Sequence, residues 1–175
     1  ALEFAFLLKN LNYDVDLIYR KQTILNEFDK DIGSRVLNYA VKKGIKVFRE
    51  TFLKKIKKNA KKTIILTNNK TIKTDLLIYA IGRTPNIQSL NLNNTKVLLD
   101  KNYAIKVNKN SRTRDKNIYA IGDVTNRKNL TPVAIREAVI LFNFLSGKKT
   151  NLKLDYNKVA SAIFTQPEVG SIGYG

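Results

Sequence analysis

Cysteine and histidine are both missing from the 175 residues, and each absence closes off a kind of chemistry. Without cysteine these residues supply no disulfide and no thiol nucleophile. Without histidine they supply no imidazole base, and with both gone no zinc site is expected. Any thiol chemistry must come from sequence other than this. Acidic residues are scarce as well, 14 against 32 Lys and Arg, for a net charge of +18. No apolar run approaches the ~18 residues that a membrane-spanning helix needs, and the first residues do not read as a signal peptide. No membrane partner is expected. With 43% hydrophobic and 26% charged residues, eight Gly and three Pro, the composition is that of a globular chain.

The surplus of positive charge invites a nucleic-acid reading. The basic residues, however, are mostly lysine, accompany abundant Asn and Ile, and are spread along the chain. That is the mark of a compositionally biased genome, with lysines on solvated faces. Only 54–62, K-K-I-K-K-N-A-K-K, is dense. It reads as a hairpin at a sheet edge, where lysine deters pairing with a second edge. No nucleic-acid partner is expected, although a basic binding module is the non-enzymatic alternative. The length suits one domain or parts of two. The chain opens inside a helical pattern and stops at the glycine-punctuated G-S-I-G-Y-G, so both ends are expected to be cut.

Apolar spacing organises the first half. Residues 1–12 read as a helix with Leu2, Ala5, Leu8 and Leu11 on one side, widened by Phe4, Phe6 and Leu7. A strand is expected at 14–19, a second helix at 29–43 with Val36, Leu37, Ala40 and Val41 inward and Gly44 as its stop, then a strand at 45–48. Helix, strand, helix, strand implies a parallel sheet with crossover helices. Residues 51–73 change style, with two β-rich runs flanking an Asn68-Asn69 turn, a short antiparallel excursion. D-L-L-I-Y-A-I-G (75–82) reads as a buried strand ending at Gly82. Further strands are expected at 103–107 and 118–124, a helix from Pro132 to about Leu145 closed by Gly147, and a new strand from Val159. Domain changes fall near 83 and 149.

Chemistry concentrates where apolar strands stop on glycine. Y-A-I-G-R-T-P-N (79–86) and Y-A-I-G-D-V (119–124) are similar strand ends, and Gly82 and Gly122 admit close backbone approach. Asp123 can accept a hydrogen bond from a cofactor's sugar or polyol. Seven residues after that strand, Thr131 can cap a helix whose first position suits Pro132. Such a helix start offers N–H groups to a group that becomes anionic. Together they suit a large redox cofactor, read here as a flavin; an N-capped helix after an ordinary loop is the plain alternative. At the end of the strand over 14–19, Tyr19 stands where an NAD site places an acid, and Arg20-Lys21 follow. That pattern suits a 2′-phosphate, as in NADP; on spacing alone Arg20 reads equally well as a surface cation. Glu3, in the first turn of its helix, is accounted for by the helix dipole.

The motifs A-I-G-R-T-P-N, N-I-Y-A-I-G-D-V, L-T-P-V-A-I-R-E-A and A-I-F-T-Q-P-E-V-G-S-I-G, in this order and spacing, resemble the central part of class I FAD-dependent pyridine nucleotide-disulfide oxidoreductases. The resemblance covers nearly the whole chain. L-T-P-V-A-I resembles the glutathione and trypanothione branch, whereas dihydrolipoamide dehydrogenases, the sister alternative, usually carry L-A-H there. It implies an α/β fold made of parts of two Rossmann-like FAD/NAD(P)-binding domains, a parallel sheet with crossover helices plus a three-stranded antiparallel excursion, followed by the start of an α+β dimerisation domain. The implied divisions are 1–82 for NADP, 83–149 for the returning half of the FAD domain and 150–175 for dimerisation.

By the same resemblance Asp123 holds the ribityl chain, the backbone at Thr131 meets the flavin ring, the helix from Pro132 stabilises reduced flavin, and Gly122 and Arg83 lie nearby. Glu3 sits beside the nicotinamide, Arg20 with Lys21 takes the 2′-phosphate, Gly82 lies by the adenosine, and Asn129 and Ala162 offer backbone contacts. Asn26 departs from the pattern, standing where many members place a second arginine. The implied parent is a cytoplasmic homodimer that uses NADPH and FAD to reduce glutathione disulfide. Its cysteine pair would lie upstream of Ala1 and its His-Glu pair downstream of Gly175. This stretch therefore carries no catalytic residue, and it is expected to be inactive and to bind neither cofactor well alone.

Overall fold

Phe6 anchors the first part of the chain, at 1% exposure in a core to which two helices and two strands contribute. The computed structural model describes residues 1–26, 28–58, 62–66, 70–149 and 151–173. They fall into two units, Ala1–Ile81 with Ala160–Gly175, and Gly82–Val159.

In the first unit, helix α1 (Leu2–Asn10) turns Ala5 and Phe6 inward, and helix α2 (Lys30–Lys42) contributes Gly33, Val36, Leu37 and Ala40. Strands β1 (Asp16–Ile18) and β2 (Lys46–Phe48) pair in parallel, Leu17 opposite Val47, with α2 as the crossover between them. Ala5, Phe6, Leu17, Val36, Ala40 and Ile45 form one core; a large apolar side chain buried this way contributes roughly 1.5–3 kcal/mol. The Asp29 carboxylate accepts the Asp31 N–H at 2.8 Å and caps α2, and Gly44, at φ +81°, follows its end. Four expectations on facing are corrected. Phe4 and Leu7, expected to widen the inward face of α1, are more than half exposed, because the buried stripe narrows to Ala5 and Phe6. Leu11 lies past the end of α1, where Asn12 at φ 65° turns the chain away, and is exposed. Val41 is exposed too, because it sits roughly 90° around α2 from the centre of the buried stripe.

The excursion is a three-stranded antiparallel sheet in the order β3 (Leu53–Lys58), β4 (Lys62–Leu66), β5 (Thr71–Thr74). Ile56, Ile64 and Ile72 stand in register across it. The lysine-rich strand β3 forms an edge, as expected. The expected Asn68-Asn69 turn and positions 59–61 of the lysine cluster lie outside the described residues. Strands β6 (Ser161–Ile163) and β7 (Val169–Ser171) make an antiparallel pair, and Val169 packs against the α1–α2 core. β6 starts two residues beyond the expected Val159.

The second unit is built around helix α3 (Thr131–Leu145), followed by Gly147 at φ +66°. Strands expected at 103–107 and 118–124 are reduced to single bridges, Leu99–Ile105 and Arg112–Tyr119. The run 75–82 is likewise unpaired, with Ile81 73% exposed. The cause is shared. A run apolar on both faces becomes a strand when neighbours cover it, and no strand among the described residues lies alongside these. Among the described residues no helix is long and apolar enough to cross a membrane.

Candidate functional site

The strand end at 118–124 closes as a short 3-10 turn, Gly122–Thr125, held against the start of α3. Gly122 has φ +69°, and a Cβ there would meet the Ala134 Cβ at 3.3 Å. Glycine is required on both counts, for a left-handed backbone and for a close approach to the first turn of the helix. Asp123 follows with its carboxylate 49% exposed, 3.7 Å from Arg83 Nη2, whose side chain is 80% exposed. An ion pair this open contributes about 0–1 kcal/mol, so the carboxylate keeps acceptor capacity for another donor.

The helix start differs from expectation in one respect. Thr131 does not cap it: the cap position is Leu130, in extended conformation and without a side-chain bond, and Thr131 is already helical. The Leu130 carbonyl accepts both Val133 and Ala134 N–H, at 3.0 and 3.1 Å. Pro132 has no N–H, so the Thr131 amide is the open donor, with no partner among the described residues. An uncapped end leaves more positive potential available than a capped one. Asn129, on the loop before it, donates through Nδ2 to Asn126 Oδ1 at 3.0 Å and is exposed.

Glu137 was missed by the sequence reading. It is 4% exposed on the inward side of α3, four residues after buried Val133. Its Oε2 accepts the Gly122 N–H at 2.6 Å; its Oε1 accepts the Tyr156 O–H at 2.6 Å and pairs with Arg127 Nη2 at 3.1 Å. Arg127 also donates to Thr125 Oγ1 at 3.1 Å and lies over the Tyr156 ring, 5.2 Å from its centroid. Burial, then the hydrogen bond to Glu137, pushes the Tyr156 phenol up to about 12, against the opposing charge of Arg127. A carboxylate on an otherwise apolar helical stripe was the signal that could have revealed the cluster.

The residues expected around NADP divide between the units. In the first, Glu3 Oε1 accepts the Phe164 N–H at 2.9 Å, so Glu3 meets the chain just after β6. Ala162, on β6 opposite Gly170, lines an open hollow of about 440 Å³ with Ser161, Ser171 and Ile172. Tyr19 packs against the core, and its hydroxyl is buried without a partner among the described residues. Burial pushes this phenol up, Arg49 pulls it part of the way back, and Glu50 adds to the rise. Tyr19 is thus turned inward, leaving exposed Arg20 and Lys21 as the outward groups at this strand end. Asn26, also exposed, accepts from the Thr23 hydroxyl at 2.8 Å. In the second unit Gly82 is exposed at φ +130°, with open space where a Cβ would stand.

Residues 1–138 match the family described as pyridine nucleotide-disulphide oxidoreductase. The chain belongs to this family. It is 38% identical over 180 residues to a glutathione reductase of Yarrowia lipolytica, covering 99% of this chain and 38% of that protein. It is 37% identical over 178 residues to a trypanothione reductase of Trypanosoma congolense, covering 99% of this chain and 36% of that one. In fold it is similar to the crystal structure of LpdA from Mycobacterium tuberculosis, with a TM-score of 0.90 at 24% identity, over 99% of this chain and 38% of that one. The chain thus spans under two fifths of the length of these relatives. The partial Rossmann-like α/β architecture expected from the sequence is the one it has.

Proposed function

We propose that these residues are the central part of an FAD-dependent glutathione-disulfide reductase, which catalyses NADPH + H⁺ + GSSG → NADP⁺ + 2 GSH. The observation that carries the reading is the Gly122–Asp123 turn held against the uncapped start of α3. It offers an open carboxylate for a polyol and a free amide at a positive helix end, the two features a flavin with its ribityl chain requires. When bound, FAD supplies two-electron transfer between a nicotinamide and a disulfide. The chain's own contribution is binding and electrostatics. Asp123 accepts hydroxyl hydrogen bonds, Gly122 keeps the turn open to close approach, and Arg83 balances the carboxylate. The α3 terminus, with Thr131 and Pro132, favours negative charge by about 0.3–1 kcal/mol at an exposed end and more when partly buried.

For NADP, Arg20 and Lys21 are the phosphate ligands, with Asn26 on the same loop leaving the grip to those two. Glu3 and Ala162 serve the nicotinamide end, Asn129 adds a backbone contact to it, and Gly82 lies by the adenosine. In the proposed division 1–82 belong to the NADP domain, 83–149 to the FAD domain and 150–175 to a dimerisation domain. The whole enzyme is a cytoplasmic homodimer whose redox cysteines and proton donor come from other parts of the sequence.

The test is the full-length protein: one FAD per chain by visible absorbance, and reduction of glutathione disulfide with NADPH preferred over NADH. A full-length protein purified without flavin, and not reconstituted by it, sinks the reading. Preference for NADH and dihydrolipoamide assigns it to the sister enzyme. A Cys-x4-Cys upstream and a His-x4-Glu downstream in the neighbouring coding sequence are expected.

A further inference from the structure

Glu137 is the only charged side chain among the described residues that is buried. A carboxylate in that position is costly unless its oxygens are occupied, and here they are. Oε2 holds the Gly122 N–H, while Oε1 holds the Tyr156 O–H and Arg127. The other side of Gly122 is tied to the same cluster. The Gly122 carbonyl accepts the Thr125 hydroxyl at 2.8 Å, and the Thr125 Oγ1 accepts Arg127 Nε–H at 3.1 Å. The Gly122 N–H belongs to the peptide plane before its Cα and the carbonyl to the plane after it. With both planes held, φ and ψ of Gly122 are set together, and with them the direction in which Asp123 leaves the turn.

We propose that Glu137 is a positioning residue for the flavin site: by gripping Gly122 directly, and through Arg127 and Thr125 indirectly, it aims the Asp123 carboxylate at the ribityl hydroxyls. Through Tyr156 it also fastens this turn to the 151–159 segment. The proposal rests on the flavin reading above and adds to it a residue that never touches the cofactor. Glutamine cannot replace it. One oxygen serves only one side of the cluster, and the NH₂ group then faces a donor on the other.

The experiment uses the full-length protein, stripped of FAD and titrated with it, flavin fluorescence reporting the dissociation constant. Glu137→Gln is expected to weaken FAD binding about tenfold, the equivalent of one lost aligned hydrogen bond. KM for NADPH should stay within about twofold, because no NADP ligand is touched. A role in stability alone predicts the opposite split, a lowered melting temperature with the FAD dissociation constant within about twofold of wild type; that result overturns the proposal. If Glu137→Gln yields no folded protein, Thr125→Val decides. It keeps the shape, removes the hold on the Gly122 carbonyl, and should weaken FAD by about three- to tenfold; no change overturns the proposal. Asp123→Ala separates the two ideas. FAD lost by Asp123→Ala but kept by Glu137→Gln defeats the positioning role alone, whereas full-length wild type that binds no FAD defeats both.

Discussion

Replacing Arg127 by methionine removes the cation beside Glu137 while keeping most of the side-chain volume, and the cost can be worked out from the geometry. Breaking a buried ion pair by deleting one partner costs about 3–5 kcal/mol when the remaining charge is left bare. Here Glu137 keeps the Gly122 N–H and the Tyr156 O–H, and Arg127 is itself 24% exposed, so both desolvation and pairing are partial. Against this, the hydrogen bonds from Arg127 to Thr125 and Ser111 also go. An expected cost of about 2 kcal/mol follows, felt where Glu137 holds the turn. Hydrogen exchange is the suitable assay, because it reads local opening without requiring a two-state transition of the full-length protein. In the peptide spanning 118–125, the protected amide of Gly122 should exchange about 30-fold faster in Arg127→Met. A peptide from α2, which belongs to the other unit and contributes nothing to the cluster, should not change. Exchange at 118–125 within about twofold of wild type would show that the guanidinium does not support the carboxylate, and the argument for a coupled cluster would fail.

Gly122→Ala forces a Cβ into a left-handed backbone and within 3.3 Å of the Ala134 Cβ, which should cost about 1–2 kcal/mol; an unchanged melting temperature of the full-length protein would contradict it. The Tyr156 phenol is raised in the fold to about 12, so folding favours its neutral form. Its stabilising contribution is complete below about pH 10 and is lost as pH rises through 12. A two-unit shift corresponds to about 2.7 kcal/mol, and partial exposure of the ring reduces this to about 1 kcal/mol. The urea midpoint of wild type should therefore exceed that of Tyr156→Phe at pH 8, and this lead should disappear near pH 12; a pH-independent difference refutes the assignment. Arg20→Ala should raise KM for NADPH about tenfold through loss of a charge-assisted phosphate contact, with KM for NADH unchanged; equal rises for both nucleotides would remove Arg20 from the phosphate site.

Local signals were legible where the chain carries its own partners. Helix α2 has its Asp29 cap, its Gly44 stop and its apolar stripe within one segment, and it forms with those boundaries. The parallel pairing of β1 and β2 follows from the crossover that α2 makes between them. The runs 75–82, 103–107 and 118–124 carry strand chemistry of equal strength, yet none becomes a strand. Two of them find only a single bridge, Leu99–Ile105 and Arg112–Tyr119, and 75–82 finds none among the described residues; pairing is a property of two segments, whereas a helix closes its hydrogen bonds within one. The left-handed turn at Gly122 and the helix start beside it were readable because glycine and proline mark backbone shape directly.

Glu137 was hidden for the opposite reason: nothing in its own sequence neighbourhood explains it. Its three partners come from positions 122, 127 and 156, up to 19 residues away, and the nearest of them is ten residues off. An acidic side chain in the motif L-T-P-V-A-I-R-E-A looks like a solvated surface position until the period is followed from Val133, which places it inward. Once inward, it cannot remain without donors, because the free energy of burying a bare carboxylate far exceeds what one helix position can supply. The fold must then bring donors to it, and the ones it brings are the Gly122 peptide and the side chains that hold that turn. In a chain where bases outnumber acids 32 to 14, a carboxylate buried among its own donors marks a fixed turn more sharply than any exposed charge does, and under the proposed function that turn is the one that faces the flavin.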